Sequence, residues 1–177
     1  MAKSSIFIVL ASAICFFSFF ASSHGQDDRN HFVVHGTVYC DTCNVQFVTK
    51  LSAPMAGAKV KLQCVDFANE KNVTLSKEAT TDEKGSYSIE VEGDHAEEDC
   101  EVTLISSSRS DCAKLDSDKH LNQAAKVSIT NDNGLIHSPD RIANALGFMK
   151  DQPLAECAQV LKELSLNPDG TEIEDNS

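Results

Sequence analysis

Six cysteines constrain the fold of this chain more than any other feature of its sequence. The sequence contains seven cysteines, and one of them, Cys15, lies in an N-terminal apolar run typical of a signal peptide. The other six form an even set in a chain bound for an oxidising compartment, which predicts three disulfides. Free or zinc-bound thiols are the alternative. Many pairings are open to six cysteines, and their spacing alone selects none. The six are Cys40, Cys43, Cys64, Cys100, Cys112 and Cys157.

The N-terminal segment has the three parts of a secretory signal peptide. Lys3 supplies a short positive region, residues 6–20 run almost without a polar break, and small residues follow up to Gly25. The apolar run is too short to cross a bilayer, and no stop-transfer segment follows it. We therefore predict a signal peptide at 1–25, cleaved after Gly25 or, alternatively, after Ser23. A membrane anchor is the other interpretation.

Cleavage leaves 152 residues, the length of one ordinary domain. We predict a single domain over 26–177, with its core at about 32–166 and a disordered acidic tail at 167–177. Without Lys3 the chain has 14 basic and 27 acidic residues, a net charge of −13. This charge repels nucleic acid and anionic lipid, so we expect neither nucleic-acid binding nor membrane insertion. It is compatible with a basic partner or with a merely soluble surface.

Short alternating segments separated by turn residues predict a mainly β fold. The segment 58–65 alternates cleanly and places Val60, Leu62 and Cys64 on the core face. Ser86–Glu92 follows a turn and alternates in the same way. Further strands are predicted at 31–40, 45–48, 74–80, 101–107 and 126–130.

The apolar spacing changes to a helical period near the C-terminus. Pro153 suits a first helical turn with Asp151 or Gln152 as the cap, and the segment 167–170 ends the helix. The apolar stripe is Leu154, Cys157, Leu161 and Leu164. The predicted fold class is an antiparallel β-sandwich or barrel of about seven strands, with one C-terminal helix and three disulfides.

Three segments resemble the plant pollen Ole e I allergen and extensin family. Residues 36–43, GTVYCDTC, look like its signature, and the segments 140–149, DRIANALGFM, and 153–164 match further along. The six cysteines also follow the family's order, so the resemblance covers about residues 32–166. The family has Glu, Gln or Thr where His35 stands and Arg where Asn44 stands. The signature residues carried over are Gly36, Val38, Tyr39, Cys40, Asp41 and Cys43.

The resemblance implies a disulfide pattern and a role. The implied pairs are Cys40–Cys112, Cys43–Cys157 and Cys64–Cys100, of which the second would fasten the helix to the sheet. Members are secreted glycoproteins associated with pollen hydration, germination and tube growth, and allergenicity is implied as well. At least one relative is regarded as a ligand of a receptor kinase ectodomain. No enzymatic activity is established for the group.

The remaining motifs predict no catalytic or metal site. The C-x-x-C at 40–43 has redox spacing, yet in a secreted chain with four further cysteines it favours structural disulfides. Residues 131–134 match a calcium loop faintly and fit a β-turn better. Serines 106–108 have no evident His and Asp partners. No histidine has metal-binding spacing. The histidines are His24, His31, His35, His95, His120 and His137. We expect no cofactor, no metal and no enzymatic activity.

One sequon, Asn72-Val73-Thr74, predicts a glycan at Asn72 on an exposed loop before a strand. An unused sequon is the alternative.

The expected function is extracellular interaction or signalling in pollen or another growing plant tissue, with a receptor ectodomain or a cell-wall component as the partner. A structural cell-wall protein that binds polysaccharide or basic wall glycoproteins is the alternative, and an unrecognised hydrolase is a third. The charged segments 66–77 and 92–99 are the candidate contact loops, because loops on rigid scaffolds commonly carry binding.

Overall fold

The computed structural model describes residues 30–115, 123–131, 134, 138–167 and 170–171. The predicted signal peptide at 1–25 lies outside these residues, as do His120, His137, positions 132–133 of the predicted turn and most of the predicted tail.

The described part of the chain contains nine strands and one helix. In chain order they are β1 (His31–Asp41), β2 (Ala53–Pro54), β3 (Lys59–Asp66), β4 (Asn69–Thr80), β5 (Ser86–Glu92), β6 (Glu98–Ser106), β7 (Ala124–Lys126), β8 (Asp140–Ile142), β9 (Leu146–Met149) and α1 (Cys157–Glu163). The prediction of a mainly β fold with one C-terminal helix is confirmed.

Strand β1 is the centre of a five-stranded sheet. β5 and β2 pair antiparallel with one edge of β1, and β8 and β9 pair in parallel with the other. Val38 shows that β5 and β2 share an edge: its N–H donates to the Gly85 carbonyl at 2.7 Å, and its own carbonyl accepts the Met55 N–H at 2.9 Å. The antiparallel prediction did not include the two parallel pairings, because distant parallel partners leave no hairpin turn to recognise.

The second sheet has four antiparallel strands in the order β4-β3-β6-β7. Val60, Leu62 and Cys64 of β3 are fully buried, as their alternation predicted. The inner faces of the two sheets enclose the main core, to which β1 and β9 contribute the large side chains of Phe32 and Phe148. The structure is therefore a sandwich closed around alternating inward residues.

A smaller group of buried side chains lies outside that core. It includes Tyr39 of β1, Met149 of β9, and Val160 and Leu161 of α1, each at most 6% exposed. Tyr39 alternates with core residues of β1 and so faces the opposite side of the sheet. The outward face of this part of the sheet is therefore covered, and α1 supplies part of that buried group.

The predicted strand at 45–48 is wrong. Asn44 and Gln46 have φ values of 57° and 63°, left-handed conformations that an extended strand does not contain. The segment is a series of bends that follows β1.

The predicted start and end of the helix are also wrong. The N-cap is Glu156, several residues after the expected Asp151 or Gln152. The intervening backbone is held to the loop that follows β1 instead, because the Leu154 N–H donates to the Thr42 carbonyl at 3.0 Å.

At the other end, α1 stops at Glu163, before the predicted stop at 167–170. Ser165 there has a φ of 58°, which no helix accommodates. Leu164, expected on the buried stripe, is 51% exposed.

Three strands differ in extent from the prediction. β4 begins at Asn69, so most of the segment 66–77 is strand, and β6 begins inside the expected loop 92–99. β7 ends where the strand at 126–130 was predicted to begin. Arg141 accounts for this, because its side chain donates to the carbonyls of Ser128 and Thr130 at 2.9 and 2.7 Å and replaces strand pairing there.

Candidate functional site

Two glycine–tyrosine pairs explain the signature residues Gly36 and Tyr39. Gly36 faces Tyr87 across β1 and β5, and a Cβ on Gly36 would lie 2.2 Å from the Tyr87 Oη. Tyr39 faces Gly147 across β1 and β9, and a Cβ on Gly147 would lie 2.7 Å from the Tyr39 ring. Each ring thus occupies the space that a glycine leaves free. Both signature residues have a packing role.

The signature residue Asp41 shapes the loop after β1. Its side chain is fully buried, with Oδ1 accepting the Cys43 N–H at 3.1 Å and Oδ2 accepting the Gln46 N–H at 2.7 Å. Burial raises the pKa of Asp41, although the backbone N–H groups oppose that effect. Both carboxylate oxygens accept backbone hydrogen bonds, so the Asp41 side chain is not available to bind a ligand.

The structure joins the six cysteines in the pairs that the resemblance implies. They are Cys40–Cys112, Cys43–Cys157 and Cys64–Cys100. The neighbours Cys40 and Cys43 therefore reach to separate parts of the chain, and the second bond holds α1 beside the signature loop. All the described cysteines are bonded, so none of them presents a thiolate in this form.

Each described histidine lies against a carboxylate. The nitrogen–oxygen distances are 2.7 Å for His31–Glu92, 2.9 Å for His35–Asp140 and 2.7 Å for His95–Glu98. The first two pairs lie on the exposed outer face of the five-stranded sheet, where side chains of β1, β5 and β8 meet.

Among the contacts of the described residues, no serine completes the His35–Asp140 pair. Ser88 is the strand partner of His35, and no hydrogen bond joins their side chains there. Ser107 is engaged by its own loop, since its hydroxyl accepts the Arg109 N–H at 3.0 Å and lies 2.8 Å from the Cys112 carbonyl. The described contacts of the His35–Asp140 pair therefore do not include the hydrogen-bonded sequence of acid, base and nucleophile that acyl transfer needs.

The third histidine belongs to a group that sequence spacing did not predict. One ligand atom from each of Cys64, His95, Glu98 and Cys100 lies within 4.8 Å of the others. The pairing of β3 with β6 brings the two cysteines together, and a tight turn brings His95 over Glu98. Known spacing motifs for metal ligands place them on one face of a helix. His95 and Glu98 lie three residues apart at a turn, so their spacing in the sequence does not indicate a metal site.

The two predicted contact segments meet at one end of the sandwich. Phe67 lies at the tip of the β3–β4 hairpin and its N–H donates to the Glu97 carbonyl at 3.2 Å, while Asp66 pairs with Glu98. Phe67 is 62% exposed. We call this surface the hairpin end and define it by Asp66, Phe67, Glu70 and Glu97. The charge of the segment 66–77 indicated a contact loop, but nothing in the sequence indicated that Phe67 is exposed within it.

A shallow acidic hollow of about 310 Å³ adjoins the hairpin end. It is lined by Gln63, Val65, Glu70, Asp99 and Glu101. Lys126 partly neutralises it, because its Nζ lies 2.6 Å from an Asp99 oxygen. The hollow is therefore polar and predominantly acidic, and it lies beside an exposed ring.

The sequon residue Asn72 is exposed and lies within β4 rather than on a loop before it. β4 is an edge strand of the four-stranded sheet, so a glycan at Asn72 would project from an edge and not from a packed face.

No described helix is both long enough and apolar enough to span a membrane.

Fold and site together define a disulfide-linked β-sandwich whose signature residues maintain its packing. The family described as pollen protein Ole e 1 like matches residues 30–165, and the chain belongs to this family. An Olee1-like protein of Betula pendula is 48% identical over 171 residues, 96% of this chain and 98% of that protein. The pollen allergen Che a 1 of Chenopodium album is 45% identical over 166 residues, 94% of this chain and 96% of that one.

A solved structure agrees with the fold. The crystal structure of the major plantain pollen allergen Pla l 1 superposes with a TM-score of 0.63 and 34% sequence identity, covering 72% of this chain and 99% of that one. The family resemblance and the predicted sandwich are confirmed.

Proposed function

We propose that this chain is secreted after loss of residues 1–25 and acts in pollen as an extracellular signalling protein. Residues 26–177 form the single acting domain, which binds the ectodomain of a receptor kinase and so supports hydration, germination or tube growth. It catalyses no reaction. The family relationship supports the pollen setting, and the allergens among the relatives support allergenicity of this chain as a further part of the proposal.

The exposure of Phe67 is the observation that carries the binding role. The Phe67 side chain is 62% exposed at the tip of the hairpin, so it contributes little to the packing of the fold. Exposed aromatic residues within a charged rim are the usual centres of protein interfaces. The β3–β4 hairpin is also held to the β6 end by the Phe67–Glu97 backbone bond, so the ring is presented on a fixed support.

Charge defines the chemistry of the partner. Asp66 precedes Phe67, Glu70 follows it at the start of β4, and the Glu97 carbonyl accepts the Phe67 N–H, so acidic residues border this tip of a strongly acidic chain. A matching surface would have an apolar pocket for the ring and a basic rim. The rim charges would raise the association rate, and the ring would slow dissociation.

The test is affinity capture of receptor kinase ectodomains from pollen extract with the oxidised, glycosylated domain. Phe67→Ser should weaken binding to a captured ectodomain at least about tenfold, as expected for a central aromatic contact. Ile142→Ser is the matched control, because Ile142 is 75% exposed on the other sheet. Equal binding by the two variants would refute the role of the hairpin end.

The acidic hollow favours a second function, a structural wall protein that binds basic wall glycoproteins or polysaccharide. Glu70, Asp99 and Glu101 could pair with several cationic groups at once. Such binding should weaken steeply between low and high salt, whereas an interface centred on Phe67 should be less sensitive. Capture repeated at high salt separates the two: wall material that elutes supports the second function, and a retained ectodomain supports the first.

A further inference from the structure

The Cys64–Cys100 bond lies beside a histidine and a glutamate. Cys64 and Cys100 are directly opposed residues of β3 and β6. His95 and Glu98 belong to the turn that enters β6, and their ligand atoms lie within 4.8 Å of both sulfurs. The side chains of His95 and Glu98 are only 10% and 18% exposed, so the group is largely enclosed.

These four residues are of the three types that zinc uses as ligands. Zinc binds thiolate sulfur, imidazole nitrogen and carboxylate oxygen in a tetrahedron, with sulfurs about 3.8 Å apart for bond lengths of about 2.3 Å. In the disulfide the sulfurs are bonded and cannot serve as thiolates. The two Cα atoms lie 4.0 Å apart, a distance from which rotation about the Cα–Cβ bonds can bring the freed sulfurs to about that separation.

Hydrogen bonds already hold the two other donors. The His95 N–H donates to the Ile129 carbonyl at 3.0 Å, and the Glu98 N–H donates to the His95 carbonyl at 3.2 Å, which closes the turn. The imidazole Nε2 lies 3.3 Å from the Glu92 carbonyl. Nδ1 lies 2.7 Å from a Glu98 oxygen in the oxidised protein, so a metal would replace the hydrogen that the two atoms share. Nδ1 would then be the ligand atom and Nε2 the N–H that faces the Glu92 carbonyl, an arrangement typical of metal-bound histidine.

The carboxylate is supported in the same way. The Thr74 hydroxyl, on β4, donates to a Glu98 oxygen. Such outer contacts orient ligating side chains and raise metal affinity.

A surface pocket borders this cluster of side chains. A pocket of about 300 Å³ is lined by residues that include His95, Glu98, Cys100 and the exposed Phe67. Cys100 is 3% exposed, so the bond lies at the edge of the core where this pocket borders it.

We propose that reduction of the Cys64–Cys100 bond creates a zinc site formed by both thiolates, His95 and Glu98. Two molecules of a thiol reductant become one disulfide, while each cysteine sulfur gains one electron and one proton. Binding of Zn²⁺ then releases both thiol protons, and the imidazole binds in its neutral form. The oxidised protein retains only the His95–Glu98 pair and binds the ion far more weakly.

The test treats the oxidised mature domain with a water-soluble phosphine, which takes up an oxygen from water as it reduces the bond. Alkylation mapping selects conditions in which Cys64 and Cys100 are free while the other two bonds are intact. Co²⁺ and Zn²⁺ are the probes: one equivalent should bind, with the thiolate–cobalt charge-transfer absorption of a tetrahedral site. Zn²⁺ should also protect both thiols from alkylation.

Variants show whether Zn²⁺ binds to four positioned ligands or only to the two freed thiols. His95→Ala should weaken Zn²⁺ binding by more than tenfold. Thr74→Val should weaken it by about tenfold relative to Asn72→Gln, because both variants lose the sequon and only the first loses the hydroxyl that donates to Glu98. His31→Ala is the matched control, because His31 also pairs with a glutamate, at 2.7 Å, on a different face. Equal loss in His31→Ala and His95→Ala, or no loss in either, would overturn the proposal.

A second arm avoids the reductant. Cys64→Ser releases the Cys100 thiol while the remaining bonds stay closed, and leaves three donors. This variant should bind Co²⁺ with one thiolate bond, and addition of His95→Ala should abolish the absorption. Failure of Co²⁺ to bind in both arms would refute the site and would leave the receptor-binding proposal untouched.

Discussion

The guanidinium of Arg141 lies over the ring of Phe32, with its Cζ 4.7 Å from the ring centroid. Arg141 is 2% exposed, and its hydrogen bonds to the Ser128 and Thr130 carbonyls tie an irregular segment to the sheet. Burial lowers the pKa of Arg141, yet a guanidinium stays charged throughout the physiological range. One side chain therefore joins the core, β8 and the segment after β7.

Arg141→Met should lower the free energy of unfolding by about 2–4 kcal/mol, because it removes charged hydrogen bonds and leaves carbonyls unpaired. Urea unfolding measures the change. Arg109→Met is the control, because Arg109 is exposed and pairs only with Asp111 in the contacts seen here. A cost for Arg141→Met no greater than that of the control would contradict this role.

Gly36→Ala should cost about 1–3 kcal/mol, because the new methyl group would displace the Tyr87 ring. The Tyr87 hydroxyl is buried without a hydrogen-bond partner in the described structure, so Tyr87→Phe should be neutral or stabilising. In a Tyr87→Ala background, Gly36→Ala should cost much less than it does alone. Additive costs in this double-mutant cycle would show that the two residues do not contact each other.

Asp111 makes the free energy of unfolding depend on pH in the acidic range. Arg109 and Lys150 donate to its carboxylate at 2.9 and 2.7 Å and hold its pKa well below its usual range. Its folded-state pKa is lower than its unfolded one, so its contribution is present above about pH 4 and is lost as the pH falls. Asp111→Asn should reduce the slope of stability against pH below that value. A carboxyl NMR titration with an ordinary midpoint would contradict the prediction.

Peptide mapping without reduction should recover Cys40–Cys112, Cys43–Cys157 and Cys64–Cys100, and a Cys40–Cys43 peptide would contradict the framework. Replacing both Cys43 and Cys157 by alanine should cost about 2–4 kcal/mol. The loss should be local at first, with faster hydrogen exchange in α1, where Val160 and Leu161 are buried, than in β5. Equal acceleration in α1 and β5 would argue against a local role for this bond.

The secreted protein should carry a glycan at Asn72, which is exposed on the edge strand β4. Enzymatic removal of N-linked glycans should reduce its mass, and Asn72→Gln should abolish that reduction. An unchanged mass would mean that the sequon is unused.

Much of the fold could be predicted from local patterns. Alternation placed Val60, Leu62 and Cys64 in the core, and all three are fully buried. Local patterns failed where a distant group decides the backbone. The segment 45–48 has apolar residues suited to a strand, but the buried Asp41 carboxylate accepts N–H groups there and curls the chain. The helix α1 begins later than predicted because the Leu154 N–H bonds to the Thr42 carbonyl in the loop after β1.

The candidate sites divide in the same way. Charge identified the segments 66–77 and 92–99, while only the structure shows Phe67 as the exposed ring between them. The group of Cys64, His95, Glu98 and Cys100 depends on strand register, and register follows from burial and turn geometry across the whole sheet.

The sequence by itself determined the apolar and polar alternation, the even cysteine set, the acidic charge and the family. These properties are local or additive, so they can be counted along a chain. Tertiary structure alone decided the parallel pairings of β1 with β8 and β9, the buried role of Arg141 and the meeting of His95 with the Cys64–Cys100 bond. Each of these depends on contacts between residues far apart in sequence, which form only when the whole core is packed.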